Sequence, residues 1–256
     1  TLAANTASES SPTPEEDAPQ PLNSPDPATD TPTAPEPDVV YEGIRFSFDE
    51  EIMGELSITR TEGVLEADHP WKMPEHISFT FEEYVLPEGF HQAQIRIFSV
   101  QEFRAVNPEA GNRLDRMQEL LASDPVNPDE FFVVHFWNAM RYFVAQGMPL
   151  DFQNGRGVRY ISQYGQAAMP IGYPEMFYTF QGLTDDGAYY VSVIVPVSHP
   201  SLPETEAVTL DDSFYENWEN YLQETRVQLD GQAPESFVPS LLELDKMVAS
   251  LRVNSE

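Results

Sequence analysis

The chain of 256 residues contains no cysteine, which excludes disulfides, thiolate metal sites and cysteine nucleophiles together. Lysine is almost as scarce. Only Lys72 and Lys246 occur, and 13 basic residues face 43 acids for a net charge of -30. A field of that sign repels nucleic acid and anionic lipid surfaces and favours cations or basic partners, so no nucleic-acid partner is expected. No apolar run approaches the roughly 18 residues of a membrane-spanning helix, and no internal repeat is visible. The catalytic signatures are missing too. The five histidines (His69, His76, His91, His135 and His199) show no His-Glu-x-x-His arrangement and no pair four apart, and no Gly-x-Ser-x-Gly elbow is present. We therefore expect no catalytic residues, no metal and no cofactor.

What is present divides sharply near residue 40. The first forty residues hold nine prolines, eight acids and no base. They offer too little apolar surface to offset the entropy of ordering a chain, so residues 1–40 read as a disordered, solvated tether. The chain opens on Thr1 and a low-complexity tail, as an exported protein would after removal of its targeting segment. The expectation is an extracytoplasmic domain whose only link to the membrane is a removed N-terminal anchor, with residues 1–40 as spacer. The remaining stretch, about 216 residues, fits one domain. Its share of the 16 Phe and 11 Tyr is enough for a core without staples.

Along residues 41–256 the strand period dominates. Ile44, Phe46 and Phe48 alternate with polar residues, and Leu56 and Ile58 follow Gly54 in the same phase, which predicts a hairpin. Ile77, Phe79 and Phe81, then Ile95 and Ile97, extend an antiparallel meander. Asn107 and Pro108 open a helix ending near Ala122. Phe131 to Trp137 is an unbroken apolar stretch compatible with a strand or a helical turn. Residues 142–152 and 158–164 form a hairpin about Asn154-Gly155-Arg156-Gly157, with positive φ expected at the turn. Residues 177–183 and 189–197 form another about Asp185-Asp186-Gly187. Two amphipathic helices end the chain. One is capped by Ser213 with Glu216 and buries Phe214, Trp218, Tyr221, Leu222, Thr225 and Leu229; the other covers about residues 236–251, with Ser240 and Glu243 as a second capping box. The fold class is α+β: a twisted antiparallel β-sheet of hairpins packed against helices.

The final helix, Leu241-Leu242-Glu243-Leu244-Asp245-Lys246-Met247-Val248-Ala249-Ser250-Leu251, follows a sheet bearing Phe177-Tyr178-Thr179-Phe180 and Tyr189-Tyr190-Val191-Ser192. That arrangement resembles the PsbP-like α/β/α sandwich group and uncharacterised bacterial exported lipoproteins. The resemblance implies a non-enzymatic accessory or binding role and transfers no functional residue.

One segment departs from the acidic background. Residues 131–174 contain a single acid, Asp151, against Arg141, Arg156 and Arg159, and carry Trp137 and four tyrosines among several amides. Guanidinium forks, amides and aromatic faces suit a sugar, a carboxylate-bearing ligand or a peptide. The candidate ligand-binding residues are Arg141, Arg156, Arg159, Tyr160, Gln163 and Tyr164. The competing explanation is that central strands covered on both sides shed charge because burial forbids it. Asp185-Asp186-Gly187 reads as turn chemistry rather than a calcium loop, and His135 as a buried, hydrogen-bonded ring. Function is expected to be non-catalytic binding of a small ligand or protein partner outside the cytoplasm. The alternatives are an extracellular hydrolase acting on glycan or peptide, and a purely structural surface component.

Overall fold

Hydrophobic alternation along the strands is realised as a seven-stranded sheet in which every neighbouring pair is antiparallel. The structure, a computed structural model, describes residues 36–254 apart from 67, 69, 70, 88 and 136. The proline- and acid-rich stretch up to residue 35, and with it the expected tether, lies outside the described residues. From Pro37 on, the chain forms one compact unit.

The elements in chain order are β1 (Val39–Tyr41), β2 (Ile44–Phe46), α1 (Glu50–Met53), β3 (Glu55–Thr61), β4 (His76–Glu82), β5 (Gln94–Ser99), α2 (Val100–Val106) and α3 (Pro108–Leu121). There follow β6 (Met140–Arg141), β7 (Ala145–Phe152), β8 (Gly155–Ser162), β9 (Tyr164–Gly165), β10 (Phe177–Thr184) and β11 (Tyr189–Pro196). The chain closes with α4 (Asp212–Glu216), α5 (Trp218–Asp230), α6 (Leu241–Ser250) and β12 (Arg252–Val253). The main sheet runs β3-β4-β5-β11-β10-β8-β7; β1-β2-β12 and β6-β9 form two smaller ladders. The α+β class holds.

Successive strand residues point to opposite faces, so each strand contributes to two cores. On one face Phe98, Val158, Tyr160, Leu183 and Tyr190 pack under Phe103 of α2 and Leu114, Met117 and Leu121 of α3. On the other, Ile95, Ile161, Tyr178, Phe180 and Val193 meet Ile44 and Phe46 of β2, Leu229 of α5 and Leu241, Leu244 and Val248 of α6. Strand β10, inside the sheet between β11 and β8, is buried at all eight positions, and its polar Thr179 and Gln181 are hydrogen-bonded there. The two edge strands are protected differently. Exposed β3 carries Arg60, while β7 carries Pro149 and a bulge between Ala145 and Met148. At that bulge Gln146 adopts φ 54. Its amide donates to the carbonyls of Leu229 and Gln232, and its backbone N–H to Asp230, so the irregularity docks α5 on the sheet.

Several expectations are corrected. The folded chain starts before residue 41, since Val39 is buried and pairs with Phe46. The first predicted hairpin does not form. Asp49 accepts a hydrogen bond from the Glu51 N–H and caps α1, and β2 joins β1 and β12 while β3 pairs with β4. The described residues of 131–137 are neither helix nor strand but irregular chain over the sheet. In the β7–β8 hairpin no residue from 153 to 157 has positive φ. Gly155 is there because a side chain would overlap Phe152 and the Leu183 carbonyl, and Asn154 is there to bond Val253 through both its Oδ1 and Nδ2. The turn at Gly187, φ 68, is as expected. The helix after residue 211 is capped by Asp211 instead of Ser213 and breaks at Asn217. Helix α6 starts at Leu241, and Ser240 makes no side-chain cap.

Candidate functional site

The six candidate residues do not converge. Arg159, on the α6 face, is 2% exposed. Its Nε lies 3.2 Å from Asp245 Oδ1, which also accepts from Tyr178 OH at 2.9 Å, and its guanidinium donates to the Gln146 carbonyl. Burial raises the Asp245 carboxyl, and Arg159 partly offsets this. This is a cross-brace between sheet and helix. Arg156 projects from the opposite face, exposed, 3.6 Å from Asp151. Tyr160 is core beneath α3. Gln163 is fully buried, donating to the Pro170 carbonyl at 2.9 Å and accepting from Gly172 N–H at 3.1 Å. Arg141 donates to the carbonyls of Phe131 and Asp129, pinning the irregular segment to β6, and lies 5.9 Å from the Tyr160 ring. Arg156 borders a small groove beside the Asp185–Gly187 turn, and Tyr164 borders a larger, aromatic cleft.

That cleft, about 610 Å³ in volume, opens where four loops meet over the start of β10. Trp71 comes from the β3–β4 connection, Phe90 and His91 from β4–β5, Trp137 and Asn138 from the irregular segment, and Glu175 from the approach to β10. The short β6–β9 ladder, pairing Arg141 with Tyr164, fixes the spacing of two walls. Gln166 donates to the Asn138 carbonyl at 2.8 Å across it, and Tyr142 OH donates to the Ala167 carbonyl behind it. Tyr173 OH donates to the Pro87 carbonyl and ties down a third loop.

Trp137 is the centre of the aromatic wall. His91 stacks on it at 5.2 Å, while Tyr164, Phe177 and His135 meet it edge-on at 4.8, 5.5 and 5.3 Å. Such ring pairs hold orientation beyond their area burial. At the mouth Trp71 and Phe90 stand out, 44% and 74% exposed.

Buried polar atoms around this wall lack partners. His91 Nε2, both nitrogens of His135 and Glu175 Oε2 are enclosed without a hydrogen-bonding protein group, where unpaired buried polar atoms are the exception. His135 is thus buried as expected but not hydrogen-bonded. Burial pushes His91 down to about 4. It holds His135 well below the usual imidazole range, and the nearby Arg96 and Arg113 charges push the same way. Arg96 itself donates to Gln94 Oε1 at 2.9 Å, and burial lowers it. Burial raises the Glu175 carboxyl, its own backbone N–H partly offsets this, and the charge of Glu206 adds to the rise. His91 Nε2 and Glu175 Oε2 do not bond each other, unlike the partners of a hydrogen-bonded acid–base pair.

Among the described residues no group of three His, Asp or Glu side chains could hold a metal, and no helix is long and apolar enough to cross a membrane. His69 lies outside the described residues, and His76 stacks on Phe98 at 4.4 Å. Asp186 accepts from Thr184 OH and Ala188 N–H, as a turn aspartate does. Compared with known proteins, the chain matches no family model, no curated protein and no solved structure.

Residues 131–174 supply most of the cleft lining, including Trp137, Asn138, Tyr164 and Gln166. The rest was missed. Trp71, Phe90, His91 and Glu175 are scattered in sequence and sit in loops whose convergence depends on the sheet order. The one signal in the chain was an excess of large aromatics in loop positions.

Proposed function

We propose that this domain binds a small ligand in the aromatic cleft and does no chemistry on it. The observation that carries the reading is a wall of rings from separate loops enclosing about 610 Å³ beside the Glu175 carboxyl, whose Oε2 is unpartnered among the described residues. That size and that mixture of apolar lining with few polar groups suit small-molecule recognition. The independence of His91 and Glu175 supports binding over catalysis. Trp71 and Trp137 are two of the three tryptophans, so intrinsic fluorescence reports on the cleft. A panel of neutral, cationic, anionic and saccharide small molecules titrated against wild type and Trp71→Ala tests the reading. We expect at least one class to shift the emission saturably and to lose affinity in the variant. Saturable binding that Trp71→Ala leaves untouched would place the ligand elsewhere.

A second reading, glycan hydrolysis, is favoured by one observation: burial, opposed in part by its own backbone N–H and aided by the nearby Glu206, raises the Glu175 carboxyl inside the cleft, as suits a proton donor. Turnover of chromogenic glycosides, abolished in Glu175→Gln, would select it.

We also propose that the domain works outside the cytoplasm, held at a distance by the residues before Pro37. Their eight prolines and seven acids with no base support a solvated spacer. Fractionation of the native cells with protease shaving checks this; full protection in intact cells would refute it.

A further inference from the structure

Ligand class can be argued from the charges that the cleft has and those that it lacks. Among the described residues no lysine or arginine lines it, so an anionic ligand would find no counter-charge there and would meet the field of a -30 chain. A saccharide needs several free donors and acceptors in fixed positions. Of the amides here, Gln166 already gives its NH2 to the Asn138 carbonyl. The strongest unfilled polar capacity is an acceptor: Glu175, whose carboxyl is steadied by its own backbone N–H but whose enclosed Oε2 has no partner among the described residues. A carboxylate in that state is complemented by a positively charged N–H group, which makes the strong, charge-assisted kind of hydrogen bond. Ring faces carry the negative end of the aromatic quadrupole, and Trp71 and Phe90 leave much of their surface open at the mouth.

We propose that the cleft recognises an organic ammonium ion bearing at least one N–H, whose charge pairs with Glu175 and whose carbon skeleton lies against the Trp71, Phe90 and Trp137 rings. This rests on the cleft being the ligand site. The acidic surface concentrates such cations before they dock, and loops anchored by Arg141, Tyr142 and Tyr173 keep the rings in place without the ligand.

The test uses three probes of one shape and different charge: phenethylamine, protonated at pH 7, neutral 2-phenylethanol and anionic phenylacetate, with methyl glucoside as saccharide control. Binding is read by tryptophan fluorescence and isothermal calorimetry on the full chain. The ammonium should bind at least about tenfold more tightly than the alcohol, with phenylacetate weakest. Glu175→Gln should bring ammonium and alcohol to parity. Glu206→Gln, which removes a neighbouring charge but leaves the pairing carboxylate, should retain most of the preference. Thermal melts within a few degrees of wild type verify that both variants are folded. Alcohol or phenylacetate binding as tightly as the ammonium would overturn the cation assignment and leave the cleft standing as a site. An ammonium preference that survives Glu175→Gln would likewise overturn the pairing. Failure of all four probes to bind would overturn both.

Discussion

Two sets of buried polar groups lie on opposite sides of the sheet and differ in one respect. Under α6, Arg159, Asp245, Tyr178 and Gln146 meet one another's charges and hydrogen-bonding atoms. Around the cleft, His91, His135 and Glu175 keep enclosed atoms with nothing to bond. The first set is a brace, because opposite charges and hydrogen bonds link its members, although Arg159 Nε meets Asp245 as an ion pair at 3.2 Å rather than through a hydrogen bond. The second is an unfinished network, and in a native chain that places the cost of burial where a ligand can offset part of it. Charge-bearing side chains in a charge-poor segment therefore split by their surroundings: the guanidiniums serve architecture and the rings serve the cleft.

The sharpest way to break this contrast is to remove one member of the brace. Arg159→Met leaves Asp245 buried without its counter-charge and should cost about 3–5 kcal/mol, seen as a lower urea midpoint. Adding Asp245→Asn should recover part of that loss. A wild-type melt for the single variant would erase the distinction between the two networks.

Acid comes next. His91 is neutral in the folded chain with its pKa pushed down to about 4 from an ordinary 6.5. The unfolded chain therefore binds the proton first. The stability from the neutral ring is complete above about pH 6.5 and is lost as pH falls toward 4, up to about 3 kcal/mol. His135 shifts in the same direction. Glu175 and Asp245, both raised, act oppositely across the carboxylate range, because the folded chain then takes up the proton first. Comparing urea midpoints at pH 7.5 and 4.5 for wild type and His91→Phe isolates the imidazole; the variant should show the shallower loss.

Smaller effects test the periphery. Asn154→Ala removes both side-chain bonds to Val253 and should cost about 1–2 kcal/mol, measurable by thermal melting and by faster amide exchange in β12. Least of all, Glu175→Gln should change stability by under about 0.5 kcal/mol, since it trades a desolvated carboxylate for a neutral amide. In the wild type, ammonium affinity should fall as acid titrates Glu175, with a midpoint above the ordinary glutamate value; a flat profile between pH 7.5 and 4.5 would separate the ligand from this carboxylate.

Period-two alternation made β4, β5, β8, β10 and β11 legible, because each buries one or both faces of a long strand. The capped helix α3 was legible for the same local reason: Asn107 accepts from Ala110 N–H at its start. The hairpin between β2 and β3 was misread because alternation gives a strand's phase and not its partner. The partner of β2 on one side is β12, about two hundred residues away. At the site, sequence pointed to residues 131–174 but chose guanidiniums, since charge within an apolar segment resembles function. Whether an arginine has a partner is decided by a distant residue such as Asp245, which no local pattern encodes. His91 and Glu175 carried no signal, each being one ordinary residue in a loop.

Strands β1 and β12 flank the same central strand, opposite Phe46 and Ile44 respectively. Two interstrand steps and two residues along the strand put Val39 and Val253 about 12 Å apart. A linker of five or six glycine and serine residues would span that gap, so the body can be circularly permuted, with new termini cut at the exposed Asp185–Gly187 turn. A permutant that keeps the cleft would let reporter groups be placed far from the natural ends, turning the domain into a sensor scaffold.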